Sequence, residues 1–187
     1  MRVFLAVFPP PEAQAAAVAV IEALRWPGDG VSWVREQNLH FTLRFLGEIG
    51  ADGLGRASEA AREAVAGRQS FDVALGAPGA FPSSARSRVL WLGLSSGSEE
   101  LTALAQDLDL TLARRGFGHA ARPFSPHLTL GRVRQPGRDW TAPLAAANSL
   151  ETWAHARFTV RHIASVESTL SPRGSTYRVA DEAPLEA

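Results

Sequence analysis

The pattern of apolar and polar positions divides the chain into short strands and helices in irregular alternation. Val3 to Phe8 is apolar and β-prone, and Pro9-Pro10-Pro11 stops it, so it reads as a buried first strand. Pro11-Glu12 then opens a helix to about Arg25, with a proline and an acid in its first turn. Its high Ala, Val, Ile and Leu content predicts packing on a sheet. Trp26-Pro27-Gly28-Asp29-Gly30 breaks it, and Val31 to Val34 is a short strand. The clearest alternation lies in His40-Phe41-Thr42-Leu43-Arg44-Phe45-Leu46, closed by Gly47, and in His127-Leu128-Thr129-Leu130-Gly131-Arg132-Val133, closed by Pro136-Gly137. Leu54 to Ala66 reads as a second helix. Ser70 to Leu75 and Arg88 to Leu94 read as strands joined by a Gly/Pro/Ser-rich connection. Ser98 to Arg115 is a third helix, with Ser98 as its cap, Glu99 and Glu100 at its N-terminus, and Gly116-Phe117-Gly118 at its end. Asp139 to Ser149 reads as a short helix. Ala156 to Val160, Ile163 to Leu170 and Ser175 to Ala180 finish the chain as strands, with the last turn at Ser171-Pro172-Arg173-Gly174.

Each half of the chain thus holds strands, a helix and one copy of His-x-Thr-Leu, the copies 87 residues apart (127 − 40). The predicted fold class is α+β: one bilobal domain over residues 1–187, with two mainly antiparallel sheets and flanking helices around a central cleft, related by a pseudo-two-fold. Side chains alternate between the faces of a strand. Phe41, Leu43 and Phe45 are therefore expected on the core face, and His40, Thr42 and Arg44 on the other. In the second copy Leu128 and Leu130 point inward, while His127 and Thr129 point away with Gly131. Strands lying side by side would bring two imidazoles and two hydroxyls into one site.

Composition narrows the chemistry. All 19 basic residues are arginine, against 19 acidic residues. The absence of lysine excludes a lysine adenylate, a lysine Schiff base and a P-loop. The absence of cysteine excludes disulfides, thiolate metal sites and cysteine nucleophiles, and fits a cytoplasmic protein. The apolar start is too short for a signal sequence, and no apolar run approaches membrane-spanning length. Thr111 to Arg138 holds six arginines and no acid around the second motif, which suits either an anionic ligand or a solvated face.

Imidazole titrates near pH 6.5, so a pair can hold one neutral and one protonated member near neutrality. That suits displacement at phosphorus, with one histidine taking the attacking proton and the other protonating the leaving oxygen. The threonines can hydrogen-bond the non-bridging oxygens, and no metal or cofactor is needed. Two other readings of the motifs are structural histidines on apolar strands and a metal site, although no paired carboxylate accompanies them. His119, His155 and His162 stand alone. No nucleophile elbow supports Ser-His-Asp chemistry.

The chain also resembles the two-histidine phosphoesterases, and within them the RNA 2′,3′-cyclic phosphodiesterases once called 2′-5′ RNA ligases. The resemblance runs through Val3 to Val7, Trp33-Val34, His40 to Gly47, Arg88 to Gly93, Arg122 to Arg132, Glu167 to Leu170 and Gly174 to Tyr177. It lacks the proline often found after the glycine equivalent to Gly174. The resemblance implies a bilobal fold, with His40 and His127 catalytic and Thr42 and Thr129 on the phosphate. It also matches Arg132 to a family arginine, although simple alternation puts Arg132 on the face opposite His127. Arg44 is a further phosphate-binding candidate. Phe8, Trp33 and Phe124 are candidates to stack a terminal base. The expected reaction is metal-independent opening of a 2′,3′-cyclic phosphate, on an RNA end or a cyclic nucleotide, to a 2′-phosphate. His127 is expected as base and His40 as acid, and reversal would join 2′-5′ ends. The expected protein is a monomer without a membrane partner. A non-catalytic RNA-end binder is the rival reading.

Overall fold

The computed structural model describes residues 1–135, 137–172 and 174–187. The expected strand break at Pro136 and the Arg173 position of the last turn lie outside the described residues. In chain order the strands are β1 (Arg2–Val7), β2 (Val31–Trp33), β3 (Phe41–Glu48), β4 (Phe71–Phe81), β5 (Val89–Ser96), β6 (Leu128–Val133), β7 (Arg157–Val160), β8 (His162–Ser171) and β9 (Gly174–Pro184). The helices are α1 (Pro11–Leu24), α2 (Ala51–Val65), α3 (Ser98–Leu112) and α4 (Thr141–Leu150).

The strands form two antiparallel sheets, ordered β3-β1-β8-β9 and β2-β6-β5-β4-β7. Each sheet holds one His-x-Thr-Leu strand, paired antiparallel with β1 in the first and β5 in the second. Helices α2 and α3 pack together against the first sheet, and α1 and α4 against the second. The main core lies between sheets and helices, where Leu5, Phe41, Leu90, Leu92, Leu128 and Leu130 meet Leu24, Leu101, Leu104 and Leu108. Burying one such leucine contributes roughly 1.5–3 kcal/mol relative to exposure. A second cluster, Phe4, Ala6, Ala164 and Val166, covers the opposite face of the first sheet, with Phe8 and Tyr177 packed on it. This is the α+β, two-sheet architecture expected. Among the described residues no helix is long and apolar enough to cross a membrane.

The differences from simple pattern reading have local causes. β4 does not stop at Leu75 but continues through the Gly/Pro segment to Phe81, with its register shifted between Leu75 and Pro78. The glycines there serve close approach, since a Cβ on Gly79 would lie 2.4 Å from the Trp91 ring. Ser98 does not cap α3. Gly97 holds that position at φ 77°, where a Cβ would lie 2.5 Å from the Asp72 carbonyl oxygen. The helix gives way at Ala113 to a wider π turn reaching Phe117. Gly47 does not end β3, which runs on to Glu48.

The most consequential differences are two bulges. Ala6 pairs with Thr42 but Leu5 pairs with Arg44, leaving Leu43 as an extra residue. Trp91 pairs with Thr129 but Leu90 pairs with Gly131, leaving Leu130 as an extra residue. Each motif leucine is thus a bulged residue of its strand, and each bulge reverses the facing of the residues that follow it, in β3 as far as a further shift at Leu46.

Candidate active site

Each histidine is held at the entrance to its strand by the same device. Nδ1 of His40 donates to the Asn38 carbonyl at 2.7 Å, and Nδ1 of His127 donates to the Ser125 carbonyl at 2.7 Å. A carbonyl can only accept, so both rings carry their neutral-state proton on Nδ1 and present Nε2 for chemistry. The carbonyls are positioned by different means. Asn38 ends a short 3₁₀ turn (Glu36–Asn38), and its side-chain amide donates to the Ser175 carbonyl at 2.9 Å, tying the turn to β9. Ser125 precedes Pro126, which biases it to the extended conformation.

The two half-sites differ in what surrounds the rings. His40 stacks on Phe4 with ring centroids 4.7 Å apart, and Phe8 and Tyr177 flank it at 5.5 and 5.4 Å. Burial among these rings lowers the His40 pKa from its ordinary value near 6.5, the Asn38 carbonyl opposes that, and the charges of His127 and Arg132 lower it further. Its Nε2 lies 2.9 Å from the Thr42 hydroxyl. His127 is partly exposed and meets the edge of Phe81 at 5.1 Å, and Phe81 in turn packs on Trp91 at 5.0 Å. Among the described residues Nε2 of His127 has no hydrogen-bond partner.

A cavity of about 460 Å³ opens between the sheets, within the range of small-ligand sites. Its lining includes His40, Thr42, Thr129, Arg132 and Tyr177. His127 is not part of that lining, but it stands close enough for its charge to oppose protonation of His40. Burial raises the Tyr177 hydroxyl above its ordinary value, against the lowering effect of Ser175 and the charges of Arg132 and Arg2.

The bulges decide which arginine reaches this space. Simple alternation gave Arg44 to the cleft and Arg132 to the opposite face, and both assignments reverse. Arg44 sits opposite Leu5 on the helix-bearing face, where it pairs with Asp109 of α3 and donates to the Gly118 carbonyl at 3.0 Å. Asp109 is held below the usual carboxylate range despite its burial, by His119, the Ala120 amide and Arg44. Arg132 sits opposite Val89, on the Trp91 and Thr129 face, and lines the cavity. Gly131 takes the inward position instead, where a Cβ would lie 2.6 Å from Val31 and 2.8 Å from the Trp33 ring. Phe45, expected in the core, is 51% exposed and lines the same cavity.

The other arginines around the second motif turn elsewhere. Arg114 and Arg115 pair with Glu63 of α2, Arg134 donates to the Ser32 hydroxyl, and Arg138 donates to the Asp29 carbonyl at 2.7 Å. Arg122 lines a separate cavity beside α3. Of the proposed stacking rings, only Phe8 is near a histidine, and it packs against the imidazole rather than lining the cavity. Trp33 faces the core side of β2, donating from Nε1 to Asp29 at 2.9 Å and meeting Trp140 edge-on. Phe124 packs on the core and lines the separate cavity with Leu43 and Asp109. Phe4 had no signal of its own, because β1 is buried on both faces and shows no alternation, and Phe81 falls in the segment that read as a connection between strands.

Among the described residues no group of three or more His, Asp or Glu side chains is placed to hold a metal. The arrangement is a two-histidine cleft with paired motif hydroxyls and the guanidiniums of Arg132 and Arg2, built on two antiparallel sheets. A family model of the 2′-5′ RNA ligase superfamily matches residues 9–170. An RNA 2′,3′-cyclic phosphodiesterase of Methanothermobacter thermautotrophicus is 32% identical, covering 95% of this chain and 95% of its own. A crystal structure of the TT0787 protein of Thermus thermophilus superimposes with a TM-score of 0.79 at 27% identity, covering 99% of this chain and 98% of that one. Escherichia coli LigT complexed with 3′-AMP gives 0.73 at 28% identity, covering 98% and 97%. The chain belongs to the 2′-5′ RNA ligase superfamily.

Proposed function

We propose that this protein hydrolyses the 2′,3′-cyclic phosphate of an RNA end or a cyclic nucleotide to a 2′-phosphate. The observation that carries the reading is the matched anchoring of two imidazoles. Both Nδ1 atoms are fixed on backbone carbonyls, which leaves both Nε2 atoms for chemistry, that of His40 beside the Thr42 hydroxyl. The relatives named for this activity add support across nearly the whole chain.

In the proposed step a water oxygen bonds to phosphorus as the bond from phosphorus to O3′ breaks. The water proton goes to Nε2 of His127, whose lone pair has no protein partner among the described residues. The proton on Nε2 of His40 goes to O3′, giving a free 3′-hydroxyl. Burial lowers the His40 pKa, and an acid of lowered pKa gives up its proton more readily. The substrate's negative charge supplies the counter-charge that keeps His40 loaded. Thr42 and Thr129 hydrogen-bond the non-bridging oxygens, and the Arg132 guanidinium offsets the developing charge. Solvent exchange then restores the starting protonation. A 5′-hydroxyl in place of water would form a 2′-5′ linkage by the same route.

These residues supply both proton transfers and the charge neutralisation, so the step requires no metal. The test is incubation with 2′,3′-cyclic AMP and a cyclic-phosphate-ended oligonucleotide in EDTA, with the products identified. Turnover to the 2′-phosphate is expected. A 3′-phosphate product would overturn the direction of opening, metal-restored activity would overturn the metal-free step, and binding without turnover would leave an RNA-end binder.

A further inference from the structure

The strand face that carries Arg132 into the cavity continues past it. Arg134 lies two residues further on, and its amide still donates to the Gly30 carbonyl at 2.8 Å, so the pairing beside β2 extends that far. Arg134 therefore shares the face of Arg132. Ser32 of β2 is directly opposite Arg132, which puts its hydroxyl on that face too. This hydroxyl accepts a hydrogen bond from Nε of Arg134. Val34, two residues beyond Ser32, lines the cavity together with Arg132. Arg134 is thus braced against the edge strand of its sheet, just outside the cavity that holds His40.

The brace engages only Nε. The two Nη groups of Arg134 have no partner among the described residues, the residue is exposed, and no described carboxylate pairs with it. Other arginines nearby are neutralised. Arg114 and Arg115 pair with Glu63, and Arg2, on the opposite side of the cavity, has a Glu48 oxygen 3.9 Å from its Nε. Arg134 keeps an uncompensated charge on a fork of donors, the chemistry that binds phosphate oxygens in pairs. Two residues along a strand span roughly 7 Å. That is comparable to the step between successive phosphates in an extended single strand of RNA. Arg132 and Arg134 form a two-step ladder of cations at this pitch, leading from the catalytic groups out to the sheet edge.

We propose that Arg134, held in place by Ser32, binds the phosphodiester on the 5′ side of the terminal nucleotide of an RNA chain. The inference rests on the proposed reaction for its substrate class. A cyclic mononucleotide carries only the phosphate that Arg132 and the motif residues hold. A chain carries a second phosphate one nucleotide upstream, and Arg134 is the group that makes the site favour RNA ends over free cyclic nucleotides.

The test uses three substrates: 2′,3′-cyclic AMP, the dinucleotide ApA ending in a 2′,3′-cyclic phosphate, and that dinucleotide with its internal phosphate replaced by an uncharged methylphosphonate. The wild type should show a KM at least about threefold lower for the charged dinucleotide than for the uncharged one. Arg134→Ala should erase that difference while leaving KM for cyclic AMP, and kcat on all three, within about twofold. The salt slope of binding should become shallower by about 0.7 for the charged dinucleotide alone. Arg134→Lys keeps the charge and should keep the slope. An equal loss on cyclic AMP would overturn the proposal, giving Arg134 a role in the cyclic-phosphate site or the fold. A difference that survives in Arg134→Ala and disappears in Arg2→Ala would overturn it by moving the upstream phosphate to Arg2, and no difference in the wild type would overturn it outright. Calorimetric binding of the two dinucleotides ending in a 2′-phosphate reads the same contrast without turnover. A wild type that shows the Arg134-dependent contrast in binding but turns over no cyclic phosphate would remove the proposed reaction and leave the upstream site standing.

Discussion

Replacing either histidine with alanine tests the division of labour in the cleft. Nδ1 of each ring is engaged by a backbone carbonyl, so each ring reaches the reacting phosphate through Nε2 alone. Each substitution therefore deletes one proton transfer and leaves the phosphate contacts of Thr42, Thr129 and Arg132 in place. General acid-base catalysis contributes about 10²–10⁴-fold per group, or roughly 3–5 kcal/mol of barrier. His40→Ala and His127→Ala should each lose turnover on that scale, with KM changed far less. No neighbour takes over at His40, where Phe4 and Phe8 carry no proton to transfer and burial raises the Tyr177 hydroxyl above its ordinary value. The double variant should fall well short of the product of the two losses, because both groups serve one transition state. The assignment is read with a cyclic phosphorothiolate whose 3′ bridging atom is sulfur, a leaving group that needs no proton. It should rescue His40→Ala and leave His127→Ala impaired. The wild-type rate should follow a bell in pH whose limbs belong to the pair. Rescue of His127→Ala alone would reverse the roles, and near-normal turnover in either alanine variant would refute the two-histidine mechanism.

Three further outcomes follow from the surroundings of the pair. Arg44→Ala removes one of three partners from a carboxylate that is only 22% exposed and that keeps His119 and the Ala120 amide, so denaturant unfolding should show a loss of roughly 1–3 kcal/mol with kcat per folded molecule retained. A tenfold fall in kcat at unchanged stability would return Arg44 to the phosphate. Arg132→Ala should raise KM about tenfold or more and reduce the salt dependence of substrate binding, measured from 50 to 500 mM salt (roughly 14 Å to 4 Å of screening length). An unchanged KM and salt slope would remove Arg132 from the site. The fold lowers the His40 pKa below its ordinary value near 6.5, so the unfolded chain takes up this proton first as the pH falls. Stability should therefore decline as the pH drops from about 6.5 toward the folded value, with no contribution from this group above that window. Thermal melts of the wild type and His40→Phe at graded pH measure it, and an identical decline in both would show that His40 does not carry it.

The two-sheet architecture and both motif strands were legible in the sequence because they rest on local periodicity. Val3 to Val7 is apolar throughout, the helix from Pro11 carries its own start signal, and each His-x-Thr-Leu alternates over its first four residues. The assignment of strands to sheets depends on pairing across the chain and left no local trace. β2 and β3 are separated only by the Glu36–Asn38 turn, yet β2 pairs with β6 in one sheet and β3 with β1 in the other. The bulges are a subtler case. At Leu43 nothing in the sequence marks the inserted residue, since Arg44, Phe45 and Leu46 all suit a strand. At Leu130 there was a mark, because Gly131 follows it, and a glycine inside a strand signals a bulge or a close backbone approach. The Gly131 backbone does approach Val31 and Trp33 closely, and that requirement turns Arg132 toward the cleft. Applied there, the glycine argument would have resolved the conflict between the family match for Arg132 and simple alternation. The pseudo-two-fold would then have carried the same shift to Leu43, taking Arg44 away from the phosphate and bringing Phe45 to it. The motif histidines and threonines precede their bulges, and Phe45 and Arg132 follow them. A strict period of two therefore located the histidines and threonines and misplaced the residues beyond them.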